Sequence, residues 1–163
     1  MSGTAKILVA GIGNIFFGDD AFGVEVAQRL RKRPLPPGVQ VTDFGIRGFD
    51  LACELLGGWD AAILVDAVPR GGAPGTLYVI EPTTEGPPPP LEGHTLDPVR
   101  VLALARELGD LPRRVRVVGC EPAPVGTEPT VGLSAAVEAA LEDAVNLVES
   151  EVAAACAARP NVP

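Results

Sequence analysis

The chain has 163 residues, 47% of them hydrophobic, which is enough for one domain with a sizeable core. Its 13 Lys and Arg against 21 Asp and Glu give a formal net charge of −8, which argues against a nucleic-acid binder and against a polybasic membrane anchor. Its three cysteines form no C-x-x-C pair and it has one histidine, which excludes a disulfide scaffold, a cysteine-based zinc site and every two-histidine metal motif.

Strand and helix patterns alternate along the chain. Apolar runs predict five strands, at residues 6–12, 39–44, 61–65, 75–80 and 114–119. Apolar residues at helical spacing predict four helices, at residues 20–33, 48–56, 97–108 and 134–157. Asp97 is the expected N-terminal cap of the third helix, with Pro98 at its first position. The Pro-rich segment at residues 81–93 is expected to be an extended surface loop.

This order of elements predicts an α/β fold. We expect a three-layer sandwich, with a twisted, mostly parallel five-stranded sheet and helices on both faces. One domain should span residues 1–163, with a flexible tail at residues 159–163. Ligands of such folds bind at the carboxyl edge of the sheet, where the strand order reverses, so the functional site should follow the first, third and fifth strands.

Acidic residues follow the predicted strands at this edge. Asp19 and Asp20 stand where the first loop meets a helix; we expect Asp19 to cap that helix, which leaves Asp20 as a candidate ligand. Asp66 ends an apolar strand, where it would either bond the backbone of the next loop or bind a ligand. His94 is either an ordinary loop residue or, with Asp20 and Asp66, part of a site suited to nickel or zinc with open coordination positions.

Four other residues are weaker candidates. Glu121 follows the fifth strand and could line the same crevice. Arg47 could meet a carboxylate, although a surface position is the preferred interpretation. Cys120 is expected to be a core residue because no neighbouring group activates it. Ser134 is expected to be a helix cap, since no G-x-S-x-G motif surrounds it.

Gly11 and Gly13 follow the first strand and allow a nucleotide-binding interpretation. The dinucleotide motif G-x-G-x-x-G requires a third glycine where this chain has Phe16, a bulky residue at the point where pyrophosphate must approach the backbone. A tight turn that uses the conformational freedom of glycine is the alternative.

Residues 11–23, GIGNIFFGDDAFG, resemble the G-x-G-N-x-x-x-x-D-[D/E]-x-x-G signature of nickel–iron hydrogenase maturation endopeptidases. The resemblance covers residues 6–152 and continues in ILVDA at 63–67, GTL at 75–77, His94 before a helix, Gly119, and Gly132 with Leu133. It implies an α/β enzyme that removes a C-terminal extension from the hydrogenase large-subunit precursor after nickel insertion. It also implies that Asp20, Asp66 and His94 bind the metal. Asp20 stands where some members carry the longer Glu, and Ala21 where many carry Gly.

The resemblance leads to further expectations. The nickel would be supplied by the precursor, with no other cofactor bound. No nucleophile is apparent, so the catalytic residues are unassigned, with Asp20 and Asp66 as candidates to activate water or the carbonyl. We expect a cytoplasmic monomer whose partner is the large-subunit precursor, with no nucleic-acid or membrane partner. A non-catalytic metal-binding assembly factor for hydrogenase is the alternative function.

Overall fold

The computed structural model describes residues 3–83, 97–124 and 128–158. Its strands are β1 (Ile7–Ile12), β2 (Val39–Gly45), β3 (Ala61–Ala67), β4 (Leu77–Ile80) and β5 (Arg114–Cys120). Its α-helices are α1 (Phe22–Leu30), α2 (Gly48–Glu54), α3 (Pro98–Leu108) and α4 (Ala135–Ala157). A short 3-10 helix, Gly18–Ala21, precedes α1. The nine predicted strands and helices are therefore all present, with small shifts at their ends.

The five strands form one sheet in the order β2-β1-β3-β5-β4. All neighbouring pairs are parallel except β4 with β5, which is antiparallel. The chain moves from β1 outward to β2 and then returns to β3 on the other side of β1. The strand order therefore reverses between β1 and β3, and a crevice at their carboxyl ends is the expected ligand position for this topology.

Helices cover both faces of the sheet. Ile7 and Val9 of β1 pack with α1 and α4, whereas Leu8 and Ala10 pack with α2 and α3. All six residues of β1 are buried, because alternate side chains enter two different cores. This two-sided burial explains why the strand is a continuous apolar run in the sequence. The predicted mostly parallel α/β sandwich is confirmed.

The boundaries of two helices show which local signals were correct. Asp97 caps α3, accepting the backbone N–H of Val99 at 2.8 Å, with Pro98 at the first helical position, as predicted. The predicted cap of α1 is wrong: Asp19 and Asp20 lie in the 3-10 helix, and α1 begins at Phe22 without a side-chain cap.

Most of the Pro-rich segment, His94 and the tail at 159–163 lie outside the described residues. Within the described ranges, no helix is long and apolar enough to cross a membrane.

Candidate active site

Asp20 and Asp66 lie together where the strand order reverses. Asp66 is near the end of β3, is 3% exposed, and accepts the N–H of Ala67 at 2.8 Å. Asp20 reaches the site from the 3-10 helix after β1, and its Oδ2 accepts the N–H of Asn14 at 2.9 Å. The topology thus brings together two of the three predicted metal ligands, which are far apart in sequence.

The electrostatics of this carboxylate pair are unfavourable for two negative charges. Burial raises the pKa of Asp66 well above its ordinary value, and the nearby charge of Asp20 raises it further. Burial also raises the pKa of Asp20, against the opposing effect of the Asn14 N–H. Among the described residues, neither carboxylate forms an ion pair. The pair is therefore a partly desolvated acidic site without a cationic partner in the described chain.

Glycines determine how the first loop reaches this site. Gly13 has φ +149°, and a Cβ there would collide with the backbone oxygen of Asp20. A Cβ at Gly23 would collide with the carbonyl oxygens of Val65 and Ile12. The start of α1 therefore packs directly on the ends of β1 and β3, which fixes the backbone that carries Asp20. The backbone of Asp20 lies directly against Gly13. This close contact agrees with the tight-turn interpretation, and it disfavours pyrophosphate binding because it occupies space beside the glycine.

Asp19 has a different role from its neighbour Asp20. It is 5% exposed, and its carboxylate accepts the N–H of Ala123 at 2.8 Å and the N–H of Ser134 at 2.7 Å. The hydroxyl of Ser134 also donates to it at 2.8 Å. Ser134 occupies the predicted N-cap position of α4, but its hydroxyl serves Asp19 and forms no capping hydrogen bond. Asp19 thus ties the first loop to the segment between β5 and α4.

Asp97 is a further charged neighbour of Asp66, and the sequence patterns did not indicate it. Its negative charge adds to the causes that raise the pKa of Asp66. A signal was available, because a cap at the start of α3 should lie at the carboxyl edge of a parallel sheet. Across the described ranges, no group of three or more His, Cys, Asp and Glu is arranged to hold a metal ion. The assignment of His94 as third ligand stays a prediction, because it lies outside those ranges.

Glu121 does not offer a free carboxylate to the crevice. It is 3% exposed and accepts the N–H groups of Arg70 at 2.8 Å and Gly72 at 2.6 Å and the hydroxyl of Tyr78 at 2.9 Å. Burial raises the pKa of this carboxyl, but these hydrogen bonds outweigh burial and hold the pKa below its ordinary value. Glu121 therefore holds the connection between β3 and β4 in place.

The remaining candidates behave as the sequence predicted. Arg47 is exposed, donates to the backbone oxygen of Asp43 at 2.8 Å, and also forms an exposed ion pair with Asp50 at 3.5 Å. Cys120 is fully buried in the core, where burial first, and then the charges of Asp19 and Glu121, raise the pKa of its thiol to about 11. Such a thiol is a poor nucleophile at neutral pH.

Comparison with known proteins gives one consistent result. A family model described as hydrogenase maturation protease matches residues 24–151. The hydrogenase 2 maturation protease of Escherichia coli (strain K12) is 34% identical over 149 residues, covering 88% of each chain. The hydrogenase expression/formation protein HupD of Rhizobium leguminosarum bv. viciae is 32% identical over 155 residues, covering 89% of this chain and 75% of its own.

A solved structure extends the similarity to three dimensions. The hydrogenase maturating endopeptidase HybD from E. coli superposes with a TM-score of 0.77 at 31% identity. The superposition covers 91% of this chain and 93% of that chain. The structural similarity therefore extends over most of the chain.

Proposed function

This chain belongs to the hydrogenase maturation protease family and is an endopeptidase, and we propose that it acts on the large-subunit precursor of a nickel–iron hydrogenase. In this proposal it removes the C-terminal extension once nickel has been inserted. Nickel already bound in the precursor is the recognition element. Family membership supports the class of enzyme and the hydrogenase precursor as the class of substrate.

One observation carries the nickel hypothesis: the buried carboxylate of Asp66 lies beside the half-buried carboxylate of Asp20. Two negative charges that raise each other's energy are stabilised when a divalent cation lies between or beside them. Carboxylate oxygens with one imidazole form a reasonable ligand set for a first-row metal of intermediate softness, and the family resemblance suggests His94 as that imidazole. The donor set of this chain therefore fits nickel, with positions left for ligands from the precursor.

An incomplete ligand set would make nickel a checkpoint. Asp20 and Asp66, even with His94, leave coordination positions empty, so this chain alone should hold nickel weakly. The precursor would supply the remaining ligands, and the two proteins together would complete the site. A precursor without nickel lacks this interaction and docks less tightly. The enzyme would thereby distinguish finished from unfinished metal centres by a difference in binding free energy.

The structure also bears on how the peptide bond is hydrolysed. The Cys120 thiol is buried and protonated at neutral pH, and the Ser134 hydroxyl is committed to Asp19. Neither residue suits nucleophilic attack, so water is the better attacking group. Asp20 and Asp66, which lie beside each other in the crevice, are the candidates to accept a proton from that water and return it to the leaving amine. Bound nickel would contribute orientation of the precursor and polarisation of a nearby carbonyl.

The test replaces each carboxylate and follows loss of the C-terminal extension from nickel-loaded precursor by intact-protein mass spectrometry. Asp20→Asn and Asp66→Asn should each slow processing by about 10²–10⁴-fold. Asp20→Glu, which keeps the carboxylate, should retain more activity than Asp20→Asn. Asp110→Asn is the matched control, because Asp110 is an exposed carboxylate just after the C-terminal end of α3, opposite the helix end that lies near Asp66. Wild-type rates in both Asn variants would contradict the proposed site.

A further inference from the structure

Four large apolar side chains are exposed in the loop after β1 and in the segment before α4, two segments that backbone hydrogen bonds join. Ile15, Phe16 and Phe17 are 48%, 58% and 37% exposed in the loop after β1, and Val131 is 81% exposed in the segment before α4. We call these four residues the apolar rim. Contiguous apolar patches on a protein surface typically mark interaction sites, because their exposure to water is unfavourable.

Hydrogen bonds hold the apolar rim in one conformation. The N–H of Gly18 donates to the backbone oxygen of Thr130 at 2.7 Å, and the N–H of Thr130 donates to that of Phe16 at 2.7 Å. The N–H of Phe16 also donates to Oδ1 of Asn14 at 2.9 Å. Binding of a partner to this surface would therefore cost little entropy, because the backbone of these exposed residues is already ordered.

The apolar rim is continuous with the crevice. Asn14 connects them directly, because its N–H donates to the Asp20 carboxylate while its side chain accepts from Phe16. A cavity of about 260 Å³ lies beneath the rim, with Phe17, Val131 and Leu133 in its lining. Pockets for small molecules typically measure about 300–1,000 Å³, so this cavity suits one or two side chains of a peptide. The carboxylate of Asp19 in its lining is already satisfied by Ala123 and Ser134.

We propose that the apolar rim and this cavity bind an apolar segment of the precursor next to the peptide bond to be cleaved. The inference rests on the proposed function for its occupant. A second copy of this chain is disfavoured by area, since a stable interface needs about 800 Å² from each partner. Four partly exposed side chains offer on the order of 400 Å². A small, rigid surface, apolar at its rim and with the carboxylates of Asp19 and Glu128 in the lining of its cavity, suits a substrate that must leave after cleavage.

Phe16→Ser and Val131→Ser test the apolar rim, with Leu108→Ser as the matched control. Leu108 is 52% exposed at the end of α3, opposite the helix end that lies near Asp66. Two quantities are measured: Kd for nickel-free large-subunit precursor and KM with kcat for nickel-loaded precursor. We expect Phe16→Ser to raise both Kd and KM by roughly tenfold or more. Val131→Ser should raise them less, and Leu108→Ser should leave them unchanged.

Unchanged Kd and KM in Phe16→Ser would overturn the inference, as would an equal rise in Leu108→Ser. Sedimentation of the wild type and Phe16→Ser tests a second copy as the occupant. Loss of a dimer without a change in KM would overturn docking of the precursor. The nickel-free binding measurement separates this inference from the proposed function, because the rim should contribute to Kd whether or not nickel controls cleavage.

Discussion

The carboxylate of Asp19 accepts both the N–H of Ser134 at 2.7 Å and its hydroxyl at 2.8 Å, across 115 residues of sequence. Its neighbour Asp20 faces Asp66 instead and accepts only the N–H of Asn14 among the described hydrogen bonds. Two adjacent aspartates thus have different surroundings. Asp19 connects the loop after β1 to the start of α4, and Asp20 presents a carboxylate to the crevice.

The first prediction follows from this difference. Asp19→Ala leaves the N–H groups of Ala123 and Ser134 without their acceptor in a buried place, and should lower the free energy of unfolding by about 3 kcal/mol. Asp20→Ala removes one hydrogen bond from an unfavourable charge pair and should cost less. Urea unfolding of both variants measures the difference. A smaller loss for Asp19→Ala than for Asp20→Ala would contradict the structural role of Asp19.

The second prediction concerns Asp66 and pH. Its folded-state pKa is raised, so the native state binds more protons than the unfolded state between the ordinary pKa and the raised one. This residue's contribution to stability is therefore complete below the ordinary pKa of about 4 and is lost as the pH rises through the raised pKa. Asp66→Asn should gain stability relative to wild type as the pH rises above about 4. Thermal unfolding at a series of pH values checks it, and a constant difference would contradict it.

The third prediction has the opposite pH dependence. The pKa of Glu121 is lowered, so its contribution to stability is present above the ordinary glutamate pKa and is lost as the pH falls through the lowered value. Glu121→Gln should lower the Tm at pH 7, and this loss should shrink in acid. Tyr78→Phe removes one of the donors to this carboxylate and should have a smaller effect. An equal loss of Tm at pH 7 and pH 3 would contradict a role for the ionised Glu121 carboxylate in holding the connection between β3 and β4.

The fourth prediction tests how the first loop is positioned. Gly13→Ala would place a Cβ against the backbone oxygen of Asp20, at a backbone angle that other residues rarely adopt. The cost should be at least about 2 kcal/mol of unfolding free energy, with loss of processing because Asp20 is displaced. Gly58→Ala is the control: Gly58 has φ +84° but no atom within 4 Å of an added Cβ. It should cost only about 1 kcal/mol and leave processing intact.

Local signals predicted most of the fold. Apolar runs with β-branched residues indicated the strands, and Asp97 with Pro98 correctly marked the start of α3, because a cap acts within three residues of its own position. The sheet topology then explains why Asp20 and Asp66 could be expected at one edge. Asp20 follows β1 and Asp66 lies near the end of β3, the parallel neighbour of β1, and the order of elements contains this information.

Long-range hydrogen bonds account for what the sequence could not predict. Asp19 resembles a local cap, but its partners lie 104 and 115 residues away, and no local pattern records them. The hydrogen bonds of Glu121 could not be predicted for the same reason, since the N–H groups that donate to it lie 51 and 49 residues earlier in the chain. A buried carboxylate at a strand end can serve a ligand or a loop, and only the folded arrangement distinguishes the two.

We propose that the enzyme recognises nickel in the precursor through Asp20 and Asp66, and cleavage of matched precursor forms tests this proposal. The wild-type enzyme is incubated with nickel-loaded and nickel-free large-subunit precursor of equal concentration, and the rate of loss of the C-terminal extension is compared. We expect rapid processing of the nickel-loaded form, little or none of the nickel-free form, and no such difference in Asp66→Asn. Equal rates for the two forms in the wild-type enzyme would contradict recognition through nickel at Asp20 and Asp66.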